Sequence, residues 1–173
     1  MEPVDDVGGR AAADWNVLAL KRLTVLRHAQ AAQLQGGAQD YERPLTPRGR
    51  TQALEAASLL IALELVPDLI VASAAQRTRE TAELLHTAGL LAPLHPDERL
   101  YLASPTAMFA LVHATNSTVD HLLLVGHNPG VSEFCRLLDG NPQLAELPTA
   151  AFHSVTFEGD WTAACAGVGG SRE

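Results

Sequence analysis

Three short runs limit what this chain can fold into. Leu23-Thr24-Val25-Leu26, Leu69-Ile70-Val71-Ala72 and Leu122-Leu123-Leu124-Val125 are apolar or β-prone and bounded by polar or turn residues. Runs of that kind read as strands buried on both faces. Helical patterns separate them, so strand and helix alternate, which calls for a mostly parallel sheet covered by helices on both sides. Parallel strands bring their carboxyl ends to one edge, and open α/β sheets do their chemistry there. The residues just past those ends are Arg27-His28, Ser73 with Arg77, and Gly126-His127.

Residues 1 to 19 are rich in Ala, Gly and Asp and lack periodicity. They read as a loose extension, with Trp15 placed to pin its end. The first strand covers about 20–26, and the polar stretch 29–43 is a loop. Thr46-Pro47 supplies a hydroxyl cap and then proline at the first helical position. The helix it starts runs to about Leu63, with its apolar face on Ala53, Leu54, Ala57, Leu60 and Ile61. After the strand at 69–72, Ser73 is placed to cap a helix over about 75–88, with Leu84, Leu85 and Ala88 inward and Gly89 as its stop.

Residues 91–95 predict a short third strand. Ser104-Pro105 and Asn128-Pro129 repeat the cap-plus-proline start, before and after a fourth strand at 120–126. Met108, Leu111, Val112 and Thr115 form the stripe of one helix; Val131, Phe134, Cys135 and Leu138 form that of the other. Residues 152–158 predict an antiparallel edge strand with 161–166 as its partner, and the tail 167–173 is expected to be frayed. The expected architecture is a three-layer α/β/α sandwich: one domain over 20–166, a mostly parallel sheet and an antiparallel edge strand.

A chain of 173 residues with 47% hydrophobic residues can bury a full core. Its net charge of −8 disfavours general nucleic-acid binding, which needs a basic surface. An anionic substrate must then be held by a few local Arg and His residues. No apolar run reaches the roughly 18 residues of a membrane span, and no signal-peptide pattern opens the chain. A cytoplasmic protein without a membrane partner, monomeric for want of any oligomer signal, is expected. Cys135 and Cys165 stand apart, in the pattern of reduced, partly buried thiols. No ligand spacing predicts a metal or another cofactor.

Two Arg, two His and two helix N-termini at one sheet edge make an anion site, and phosphate is its natural guest. Gly126 and Gly130 let backbone approach a ligand closely. Each residue also has a structural reading: His127 can close a turn, Arg77 can solvate a helix, and Asp40, Glu42 and Arg43 can solvate a loop. His86, His95, His113 and His121 fall on no shared site, and His153 is unassigned.

Four segments carry a family resemblance. Val25-Leu26-Arg27-His28-Ala29 resembles the Arg-His-Gly signature of the histidine phosphatase superfamily, the phosphoglycerate mutase-like proteins. The segment from Ser73 through Arg77 to Thr81-Ala82 is similar to its Ser-x-x-x-Arg-x-x-x-Thr-Ala segment, and Leu124-Val125-Gly126-His127-Asn128-Pro129 to its second-histidine segment. Arg43-Pro44-Leu45-Thr46-Pro47-Arg48-Gly49, the strand at 151–155 and the small size resemble the short SixA-type phosphohistidine phosphatases. Ala29 stands where the signature has glycine, and the length leaves no room for the cap domain of larger members.

The resemblance implies that His28 attacks phosphorus and becomes a phosphohistidine, while Arg27, Arg77 and a protonated or donating His127 stabilise the transition state. Arg43 is a further phosphate-binding candidate. Glu98, Asp40 and Glu42 are the candidates for a proton donor. A site without an evident acid and open for want of a cap suits a protein phosphohistidine, whose imidazole leaves readily. The alternatives are a broad phosphomonoesterase acting on small phosphorylated substrates and, in another class, a phosphate-binding module without turnover.

Overall fold

The computed structural model describes residues 19–34, 36 and 39–169. Strand β1 (Leu20–Arg27) leads into helix α1 (Pro47–Ala62), β2 (Leu69–Ser73), α2 (Gln76–Thr87), β3 (Leu94–Asp97), α3 (Pro105–His113), β4 (His121–Gly126), α4 (Gly130–Asp139) and β5 (Phe152–Glu158). The strands form one sheet in the order β3-β2-β4-β1-β5. Only β5 runs antiparallel, on the outer side of β1. No cap domain interrupts the described residues.

The central strands alternate between two apolar layers. Leu23, Val25, Leu122 and Leu124 pack with Met108, Val112, Phe134 and Leu138 of α3 and α4. Leu26, Ile70, Ala72, Leu123 and Val125 pack with Ala57 and Leu60 of α1 and Leu85 of α2. This double coverage explains why those strands read as continuous apolar runs.

Thr46 caps α1 as expected, accepting from the Gly49 amide at 2.9 Å, and Ser104 caps α3 through the Ala107 amide. Other expectations need correction. Leu54 and Ile61 lie on the exposed side of α1; Gly49 and Ala56 are buried instead. Small residues there let α1 lie close to its neighbours, which outweighs burial of two larger side chains. Ala88 falls past the end of α2 and is exposed, whereas Thr78 and Thr81 are buried. The third strand begins at Leu94, because Pro93 and Leu94 rather than the exposed Leu91 meet Ile70.

Trp161–Ala163 is a 3-10 turn, not a partner strand for β5. Asp160 caps it through the Thr162 amide, and buried Trp161 donates its indole N–H to the Val119 carbonyl. Residues 167–169 are not frayed: the Gly167 and Gly169 amides donate to the Leu137 and Leu138 carbonyls at the end of α4. Residues 1–18, with Trp15, and the last four residues of the expected tail lie outside the described residues. Cys135 is buried and Cys165 exposed, both free; burial pushes the Cys135 thiol up to about 12.

Two glycines are fixed by close approach. A Cβ at Gly49 would lie 2.1 Å from the Gln30 carbonyl oxygen, and one at Gly130 would lie 2.0 Å from that of Ala103. Both obstacles are backbone, so relief requires a segment to move. Gly49→Ala is expected to lower stability by about 2 kcal/mol, the usual scale for overpacking. Urea unfolding of the two proteins measures this.

Candidate active site

The register of the sheet aligns three strand ends. Arg27 is opposite Gly126, and Val125 is opposite Ala72. His28 continues the ladder for one more step: its amide donates to the Gly126 carbonyl at 3.0 Å. On the other side the Ala150 amide donates to the Arg27 and His28 carbonyls. The backbone carrying His28 is therefore held from both flanks.

The His28 ring is fixed as well. Nδ1–H donates to the Ala29 carbonyl at 2.7 Å, which leaves the lone pair on Nε2. Arg77 Nε approaches that nitrogen at 3.3 Å. The Ala29 amide donates to Thr81 Oγ1, and the Thr81 hydroxyl donates to the Arg77 carbonyl, which ties the first turn of α2 to the His28 loop. Ala29 is fully buried and has no left-handed backbone, so alanine serves where the family signature has glycine.

His127 follows β4 and is 1% exposed. Its ring lies edge-on to His28, with centroids 5.1 Å apart. Ser73 Oγ is 2.8 Å from its Nε2, and Nδ1 is buried without a partner. Ser73 therefore holds a histidine, and α2 begins without a side-chain cap. Arg27 Nη1 donates to the Leu147 carbonyl at 2.8 Å and lies 3.6 Å from Glu146, while its Nε is also buried without a partner.

Asp40 lies against this group. It accepts from Arg77 twice, through its carbonyl (2.6 Å) and Oδ2 (2.9 Å). Tyr101 donates to Oδ2 and Arg43 to Oδ1, each at 2.8 Å. Arg43 also donates to the Ala32 carbonyl, so it stands behind Asp40 rather than beside His28. Of the other acid candidates, Glu42 and Glu98 are exposed and make no side-chain hydrogen bond among the described residues. The structure thus groups His28, His127, Arg77, Arg27 and Asp40, with Arg43 one step back and Glu42 and Glu98 outside.

Burial keeps both rings neutral. It lowers His28 to about 4, helped by the cations Arg77, Arg27 and Arg43 and opposed by the Ala29 carbonyl. It lowers His127 to about 3, with His28 and Arg77 adding to the effect. In the free protein burial thus favours the neutral His127 ring; the expectation of a protonated or donating ring concerns the site with phosphate bound. The neutral ring can still donate: when the Ser73 hydroxyl donates to Nε2, the ring's one N–H sits on Nδ1. Hydrogen bonds from Arg43, Tyr101 and Arg77 hold the Asp40 carboxyl well below the usual carboxylate range. Asp40 is then ionised and has no proton to give.

Tyr41, Tyr101, Ser73 as a histidine partner, Glu146 and the Leu147 carbonyl were not identified from the sequence. Tyr41 adjoins Asp40 in the chain, and this was the only available signal. The remaining histidines serve elsewhere. His121 bonds Thr24 and the Val66 carbonyl at the opposite end of β4, and His113 lies 2.7 Å from the Ala164 carbonyl. His153 lies 3.5 Å from Asp139, His95 is exposed and His86 half-buried. Among the described residues, no group of three or more His, Cys, Asp or Glu side chains is placed to hold a metal, and no helix is long and apolar enough to cross a membrane.

Residues 23–101 match the model of the histidine phosphatase superfamily, branch 1. The uncharacterized protein Rv1276c of Mycobacterium tuberculosis is 39% identical over 113 residues, which is 65% of this chain and 69% of that protein. A crystal structure of the candidate phosphohistidine phosphatase SixA from Agrobacterium tumefaciens superposes with a TM-score of 0.75 at 28% identity, covering 79% of this chain and 92% of that one. The protein histidine phosphatase SixA complexed with tungstate gives a TM-score of 0.68 at 25% identity, covering 79% and 88%.

The lowered values have a measurable consequence. In an NMR titration, the ring resonances of His28 and His127 will stay unmoved from pH 8 to about 5. An unfolded histidine takes up its proton near 6.5. Stability is therefore expected to fall as pH is lowered from about 6.5 toward about 4, where the unfolded chain binds protons that the folded one refuses. A midpoint near 6.5 for either ring in the folded protein would contradict this account.

Proposed function

The chain belongs to the histidine phosphatase superfamily, and on that footing we propose that it hydrolyses phosphohistidine on proteins, with His28 as the nucleophile. Membership makes the protein a phosphatase acting on a phosphorylated substrate. The observation that carries the residue assignment is that His28, with its Nε2 unprotonated, lies against Arg77 and edge-on to His127. Arg27 Nε and His127 Nδ1 are buried without partners, and Arg77 Nε donates to the unprotonated Nε2 of His28, a bond that a phosphoryl group displaces. Such preorganised donors stabilise the equatorial oxygens of a phosphoryl group in transit. The structural likeness to SixA bound to tungstate, a tetrahedral oxyanion, supports the same reading.

The steps follow from the tautomers. His28 Nε2 attacks phosphorus in line, the bond from phosphorus to the substrate imidazole breaks, and a His28 phosphoimidazole forms. A substrate imidazole already protonated on its other nitrogen leaves as a neutral ring and needs no acid beside it. Water then attacks phosphorus. Because His28 Nδ1 keeps its proton on the Ala29 carbonyl, His28 also departs as a neutral imidazole, and the proton of water goes to phosphate. An alkyl alcohol needs a strong donor, and ionised Asp40 does not supply one. This favours phosphohistidine on a protein over small esters.

Asp40 acts here as an internal anion. Its carboxylate takes one terminal nitrogen of Arg77 and its backbone carbonyl the other, so an incoming phosphoryl group competes with the carboxylate for Nη2. Arg43 and Tyr101 keep the displaced carboxylate in place beside the site.

Rapid mixing with protein labelled on phosphohistidine is expected to trap an acid-labile phosphoenzyme on the wild-type chain and none on His28→Ala. Phosphate release by the variant at more than a residual rate would refute the nucleophile. Preference for small phosphomonoesters would replace the substrate reading, and tight binding without turnover would leave only a phosphate-binding module. Asp40→Asn is expected to bind tungstate severalfold more tightly, since the charge competing for Arg77 is gone; weaker inhibition by tungstate would show that Asp40 does not compete.

A further inference from the structure

The chain has two tyrosines, and the fold brings them together at the mouth of the site. Tyr41 lies on the 3-10 turn Asp40–Glu42, and Tyr101 follows the turn Glu98–Leu100. Their rings meet edge to face, with centroids 5.0 Å apart. Both are half-buried. In a chain with 5% aromatic residues, this pairing of segments 60 positions apart is a local concentration that the core does not need.

Tyr101 closes a ring of groups around the reacting position. One side runs from His28 to His127 (5.1 Å between centroids) and on to Tyr101 (5.5 Å, 87°). The other runs from His28 to Arg77, to Asp40 Oδ2, to the Tyr101 hydroxyl. Along either side Tyr101 stands beyond the groups that touch His28. In-line displacement puts the leaving group on the far side of phosphorus from Nε2. A planar leaving group that departs toward the Tyr101 ring meets an edge-to-face or offset-stacked neighbour.

We propose that Tyr101, braced by Tyr41, is a specificity-determining residue whose ring receives an aromatic leaving group, the imidazole of a phosphohistidine. The inference rests on the function proposed above and deepens it, assigning the choice of leaving group to a wall rather than to a proton donor. Its hydroxyl is committed to Asp40, and that bond raises the phenol above its ordinary value. The ring, not the hydroxyl, therefore does the selecting.

The test compares kcat/KM for a phosphohistidine peptide, phenyl phosphate and a phosphoserine peptide. Replacing Tyr101 by Leu removes the ring, and Tyr101→Phe removes only the hydroxyl. The ratio of each aromatic substrate to the phosphoserine peptide is expected to fall about tenfold in Tyr101→Leu, the scale of one lost aromatic contact with its buried area. The same ratio should hold within about twofold in Tyr101→Phe. Equal losses on all three substrates, or a Phe variant that loses the ratio as the Leu variant does, would overturn the wall. Should the Leu variant not fold, Tyr101→Met carries the same comparison. Phenyl phosphate separates the two readings. A wild-type chain that spares phosphohistidine yet favours phenyl phosphate through Tyr101 refutes the substrate and keeps the wall, and a chain inactive on all three refutes both.

Discussion

The parallel pairing of β1 with β4 is the constraint on which the rest depends. It sets Arg27 opposite Gly126 and lets the His28 amide take the Gly126 carbonyl one step beyond the strand. A parallel ladder shifted by one residue would turn His28 to the other face, since side chains alternate along a strand. The register is secured by Leu23, Val25, Leu122 and Leu124 in one apolar layer and Leu26, Leu123 and Val125 in the other. Packing on both faces thus determines where an imidazole sits at the sheet edge.

Around that point the charges are arranged against the overall field. The chain carries a net charge of −8, yet the site gathers Arg27 and Arg77, with Arg43 behind Asp40, near two imidazoles that burial keeps neutral. Buried guanidinium groups need partners. Asp40, the Leu147 carbonyl and the Ala32 carbonyl supply them. On the function proposed, an anionic substrate enters by exchange with the Asp40 carboxylate rather than by desolvating bare cations.

The supporting contacts come from short side chains at close quarters. Thr81 bonds Ala29 and the Arg77 carbonyl, Ser73 holds His127, and Gly49 lets α1 approach the Gln30 carbonyl. Bulk at any of these places would separate elements that the site needs within hydrogen-bond reach.

The strand-and-helix order, the cap-plus-proline starts at Thr46 and Ser104, and the sheet-edge location of Arg27, His28, Arg77 and His127 were legible in the sequence, because apolar period and capping are local signals. Other features depended on which distant segment came near. Ser73 looked like a helix cap until β4 placed His127 beside it. Leu54 and Ile61 fitted the helical period, but α1 buried its small face. Residues 161–166 lost their strand to an Asp160 cap and a buried Trp161. Asp40 stands in the sequence beside Glu98 and Glu42 as an acid candidate; in the fold Arg77, Arg43 and Tyr101 converge on it. The sequence by itself determined the order of elements and the residue types at their ends; only the tertiary structure decided protonation, pairing and the aromatic mouth, because burial and Coulomb interactions act between groups that are close in space.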